Sequence, residues 1–168
     1  MFSTSTSTSS SIILFPFTSC HSVFSTIARS KWDTSRVANM ESMFGAAEKF
    51  DGDLSTWITT EITSLKSTFS GAKAFSGKGL DTWLTSKVTN FYRTFASTKK
   101  CTADLSNWDL SKATITNRMF EYSDFNGDLS KWNTKSNKDM GWMFANTHFF
   151  NSDVSIKNRI IYFVIMFC

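Results

Sequence analysis

The sequence predicts an α/β repeat solenoid, with one short parallel strand and one short helix in each unit of about 25 residues. Three observations lead there. Trp32, Trp57, Trp83, Trp108 and Trp132 follow one another at intervals of 25, 26, 25 and 24 residues. Twelve residues after each tryptophan stands a phenylalanine: Phe44, Phe69, Phe95, Phe120 and Phe144. Between these anchors the apolar spacing changes character, first short and β-leaning, then at gaps of three and four.

The elements follow in chain order. Residues 1–31 contain no acidic residue and begin as a run of Ser and Thr, followed by the apolar stretch Ile12 to Phe17. They read as a leader, and their composition suits a secretory signal, an organelle transit peptide or a plain disordered start. Residues 32–157 hold the five units. Within each unit a stretch such as Lys87-Val88-Thr89-Asn90-Phe91 suits a brief strand. Met40, Met43, Phe44 and Ala47 then mark one face of an expected two-turn helix.

A second aromatic position comes next, at Phe50, Phe75, Phe125 and Phe150, with Cys101 in its place in the third unit. The unit closes on Asp53-Leu54-Ser55, Asp104-Leu105-Ser106, Asp128-Leu129-Ser130 and Asp153-Val154-Ser155, with Gly52 and Gly127 expected to ease the turn. Residues 158–168 form an apolar tail. A bilayer-spanning helix needs about 20 apolar residues. The tail is too short for that and is expected to cap the stack or to mark a truncation.

One unit of this size cannot bury its own apolar face, so neighbours must stack in register. Every aligned column then becomes a ladder. Burying one large ring is worth about 1.5–3 kcal/mol, and 17 Phe beside 6 Trp make rings the main filling of the core. The Trp and Phe columns are therefore expected to be structural.

The same residues bound the chemistry. The Asp column offers one carboxylate per rung, whereas calcium wants six to eight oxygens, so no metal is expected and local backbone capping is. Only His21 and His148 could serve as an imidazole base, and neither stands in a nucleophile motif. No phosphate-binding glycine loop occurs. The expectation is a non-enzymatic chain without cofactors. Cys20, Cys101 and Cys168 are too scattered for a disulfide framework or a zinc site. The net charge of +4 is spread along the chain, which argues against nucleic-acid binding.

Two basic columns remain. Arg36, Lys87 and Lys112 lie four residues after Trp, and Lys49, Lys73, Lys99 and Lys100 cluster farther on. Unpartnered charges must face water. The second set is a candidate stripe for an acidic partner, a glycan or a lipid surface.

The unit Trp32-Asp33-Thr34-Ser35-Arg36-Val37, with Met40, Met43-Phe44, Ala47, Phe50 and Asp53-Leu54-Ser55 before Trp57, resembles the repeat of the BspA-like leucine-rich-repeat surface proteins. The resemblance covers about residues 32–157 and departs at Ala113, Thr116 and Asn137. It implies a leucine-rich-repeat-like solenoid on a secreted or cell-surface protein, with an interaction or adhesion role towards protein or glycan. It brings no catalytic residue and no cofactor. The competing expectation is an intracellular or organellar scaffold that associates end to end through open ladders.

Overall fold

The computed structural model describes residues 32–151. The leader, the tail, Asp153-Val154-Ser155, Cys20, Cys168 and His21 lie outside the described residues. Described residues wind into five coils, 32–56, 57–82, 83–107, 108–131 and 132–151. Each begins at a tryptophan of the column.

Successive coils are joined by parallel single-residue bridges, Asn39 to Ser64, Ser64 to Asn90, Asn90 to Ile115 and Ile115 to Asp139. The expected strands do not form. At four of these five positions the side chain accepts the N–H two residues ahead, as Asn39 Oδ1 does from Glu41 at 2.8 Å and Asn90 Oδ1 from Tyr92 at 2.9 Å. That local bond bends the chain out of the extended form after one pairing.

The expected helix per unit is also overturned, and with it the α/β assignment. Among the described residues the one helical element is the 3-10 turn Leu80–Thr82. The segment Met40 to Ala47 is instead two successive four-residue turns, closed by Met43 N–H to Met40 O and Ala47 N–H to Phe44 O. The third residue of each has positive φ, 56° at both Ser42 and Ala46, which is the signature of a type II turn. All five coils repeat this device, with left-handed residues at 67 and 71, 93 and 97, 118 and 122, and 142 and 146. In the first coil the apolar residues Met40, Met43, Phe44 and Ala47 fall on the first and fourth positions of the two turns. Two abutting turns therefore reproduce the three-and-four spacing of a helical face without any helix.

Hydrogen bonding fixes the choice. The N–H groups of Met40, Ser42, Phe44 and Ala46 donate to Ser64, Lys66, Thr68 and Ser70 of the next coil, at 2.7–3.1 Å. An α-helix would need alternating donors such as these for its own i−4 carbonyls. The coils spend them on each other.

The core lies inside the coils. Phe44, Phe69, Phe95, Phe120 and Phe144 are buried and stack at centroid separations of 5.4–5.6 Å, within 8° of parallel. Trp57, Trp83, Trp108 and Trp132 are buried beside them, while Trp32 at the first coil is 40% exposed. Offset stacking of this kind adds about 0.5–1.5 kcal/mol per pair beyond burial. The indoles do more than fill space. Nε1–H of Trp108 and of Trp132 donates to the carbonyls of Leu80 and Leu105, both at 2.9 Å. A phenylalanine there would leave those buried carbonyls without that partner.

Cys101 is buried where other coils place a ring, and burial pushes its thiol up to about 11. The glycine expectation is corrected too. Gly52 and Gly127 do not have positive φ, whereas Gly71, Gly77 and Gly79 do. Gly127 is needed for a different reason: a Cβ there would meet the Phe125 ring at 2.4 Å.

Candidate interaction surface

The outward faces carry the remaining chemistry. The aspartates at the coil corners act on their own backbone. Oδ1 of Asp53, Asp104 and Asp128 accepts the N–H of Ser55, Ser106 and Ser130 at 2.8–3.0 Å. Asp33 and Asp109 do the same with Ser35 and Ser111. At Asp33 the Ser35 hydroxyl and then its N–H, and at the other four the serine N–H and then its hydroxyl, hold the carboxyls below the usual carboxylate range; Asp53, helped further by Lys78, falls to about 2. Among the described residues no group of His, Cys, Asp and Glu is arranged to hold a metal, and no helix is long and apolar enough to cross a membrane.

The lysine stripe is not a uniform cationic row. Lys73 pairs with Glu48 on the preceding coil at 2.8 Å, and Lys99 with Asp124 on the following coil at 3.2 Å. Lys49 and Lys100 are exposed beside them. The same rule runs along other columns. Glu41 meets Lys66, Asp53 meets Lys78, and Glu61 meets Lys87, each across one coil boundary. Stacking one coil on the next places residues about 25 apart side by side, so opposite charges in one column neutralise each other. Exposed pairs of this kind contribute little stability, but they offset the charge of two of the four lysines in the stripe.

A different cluster stands out on the turn face of coils 3 to 5. Arg93, Arg118 and Trp142 occupy one column, ten residues after the tryptophans, and Tyr122 lies on the adjoining turn. Trp142 is 48% exposed and Tyr122 50%. Between the arginines sits Glu121, whose side chain is 4% exposed. Its Oε1 accepts from Arg118 Nη1 at 2.7 Å and its Oε2 from Arg93 Nη2 at 3.0 Å. The Arg118 guanidinium lies 5.6 Å from the centre of the Trp142 ring, a cation–π distance. Glu121 thus fixes both arginines, and Arg118 backs the indole.

All four projecting residues have left-handed backbone, with φ of 52° at Arg93, 57° at Arg118, 56° at Tyr122 and 60° at Trp142. A bulky residue in that region costs on the order of 1–3 kcal/mol, and such cost concentrates at functional positions. The sequence reading missed this cluster. Trp142 stands outside the tryptophan column, and Arg93 and Arg118 belong to neither of the two basic columns. The available signal was a change of residue type down one aligned column, from Ser42 and Ser67 to Arg93, Arg118 and Trp142.

No curated protein and no solved structure matches the chain. A family described as "Mycoplasma protein of unknown function, DUF285" matches it twice, over residues 13–123 and 63–159. The matches overlap and are offset by about two coils, as a sequence with this period allows. Each covers more than half of the 168 residues, and the chain belongs to that family.

Proposed function

We propose that the chain is a non-enzymatic interaction module, of the kind found in BspA-like surface proteins, which adheres to protein or glycan from a secreted or cell-surface position. One observation carries the reading. Trp142 and Tyr122 are about half exposed and Arg118 lies against the indole, all three at left-handed backbone positions. Trp, Tyr and Arg are the residue types that dominate binding energy at interfaces. The stacked rings inside the coils make a rigid support, so the face binds without first having to order itself.

The lysine stripe of Lys49, Lys73, Lys99 and Lys100 becomes a secondary element, because two of its members are already paired. Beads coated with the full chain test the proposal on a panel of immobilised matrix proteins and mucins. Wild-type beads are expected to be retained on at least one surface, and a Trp142→Ser/Tyr122→Gly variant to lose that retention. Equal retention of both, or none of either, overturns it.

A further inference from the structure

We infer that Asn126–Gly127 is a site of spontaneous deamidation, at which the chain converts its own Asn126 to aspartate and isoaspartate and loosens the last coil. The modification consumes only water and stands apart from the interaction role.

Asn126 is the one asparagine in the sequence that precedes a glycine. In the ring-forming step the Gly127 backbone nitrogen attacks Asn126 Cγ. A new N–Cγ bond forms, the Cγ–Nδ2 bond breaks, and the proton of the attacking nitrogen passes through water to the departing ammonia. Water then adds to either carbonyl of the cyclic imide. One opening gives aspartate; the other gives isoaspartate, whose main chain runs through Cγ. A side chain on the attacking residue would crowd the ring, and glycine has none.

The fold supplies the rest. Asn126 is exposed to water, and the Gly127 N–H makes no backbone hydrogen bond among the described residues. Asn126 Oδ1 accepts the N–H of Asn151 on the last coil at 2.9 Å. That N–H is aimed at the oxygen on which negative charge develops as the nitrogen attacks. Packing also retains the glycine, because a Cβ at 127 would meet the Phe125 ring at 2.4 Å. In the first coil Asp51 precedes Gly52 in the same column, and its Oδ1 accepts the Ser76 N–H of the next coil at 2.9 Å. Aspartate is thus an adequate anchor between coils. Isoaspartate is not: it adds one main-chain atom between the buried Phe125 and Leu129 and shifts the oxygen that holds Asn151.

The test ages the full chain in mildly alkaline buffer and reads the amide-to-acid mass gain by peptide mass spectrometry. Isoaspartate is identified by isoaspartyl methyltransferase labelling. Wild type is expected to gain this mass at Asn126 ahead of every other asparagine, faster as pH rises, and to take the label. Asn126→Gln should remove both signals. Earlier gain at any other asparagine overturns the inference. So does a folded-chain rate more than about tenfold below that of the urea-unfolded chain, because the coil would then protect the pair. Aged wild type should be cut by protease within residues 132–151 sooner than the Asn126→Asp variant. Equal cutting of the two overturns the loosening of the last coil.

Discussion

At the third residue of each turn, coils 1 and 2 carry Ser42, Ala46, Ser67 and Gly71, whereas coils 3 to 5 carry Arg93, Ser97, Arg118, Tyr122, Trp142 and Asn146. The backbone there is the same. Every one of these residues is left-handed, and in coils 1 to 4 each donates its N–H to the next coil. Small residues satisfy that geometry at little cost, and glycine satisfies it best. The fold therefore does not demand the large ones. What separates the two regions is the outer chemistry, built on an unchanged frame.

The largest expected effect breaks the comparison at Glu121, which has no carboxylate counterpart in the other coils, where Gly45, Ser70, Ala96 and Ala145 stand. Changing both arginines to the serine of coils 1 and 2, Arg93→Ser/Arg118→Ser, strands a buried carboxylate. The expected loss is about 3–5 kcal/mol in chemical unfolding. Adding Glu121→Ala should recover most of it, because the triple variant reproduces the pattern of the first two coils. A double variant as stable as wild type would show that the arginines do not hold Glu121.

A second experiment asks where the frame truly requires glycine. Gly79 has φ of 89°, and a Cβ there would lie 2.2 Å from the backbone nitrogen of Ser55. Gly71 has φ of 76°, but its Cβ would first meet Ala46 Cα at 3.4 Å, an ordinary contact. Gly79→Ala is expected to cost about 3 kcal/mol or more, since the coil below must move. Gly71→Ala should cost about 1 kcal/mol, the left-handed penalty alone. Thermal unfolding of the two variants reads the difference, and equal midpoints would contradict it. Gly71 shares a column with Tyr122, so its tolerance is what lets that column vary.

This contrast also explains what the sequence could disclose. The Phe and Trp columns were legible because a fixed interval needs no knowledge of local geometry; Phe69 and Phe95 stack wherever the units align. The turns were not legible, because Met40, Met43, Phe44 and Ala47 present the same spacing whether the chain is helical or doubly turned. A left-handed residue has a residue-type signature only at Gly71 and Asn146 among the ten turn positions, and nothing about Arg93 or Tyr122 announces it. The lysines were read without their acids, since Glu48 and Asp124 become neighbours of Lys73 and Lys99 only after stacking. The patch was hidden for the same reason: Glu121 reaches Arg93 across a coil boundary.

The smallest effect sharpens the comparison at the coil corners, where the chemistry is shared rather than divided. Asp33 and Asp53 cap the backbone in coil 1, Asp104 in coil 3 and Asp109 in coil 4, and Asn133 makes the equivalent bond to Lys135 in coil 5. The carboxyls have folded-state values below the 3.8 of the free group, reaching about 2 at Asp53. A depressed folded value means stability that is complete above the unfolded value and lost as pH falls through the folded one. The thermal midpoint should therefore hold steady down to about pH 4 and decline towards pH 2. Asp53→Asn keeps an oxygen for the Ser55 N–H, as Asn133 does for Lys135, but has no proton to take up. Its midpoint should fall less steeply over that window than wild type. A steeper or identical decline would place the acid sensitivity elsewhere. The corner caps, unlike the arginine patch, would then be replaceable by any oxygen acceptor, which is what a purely structural position requires.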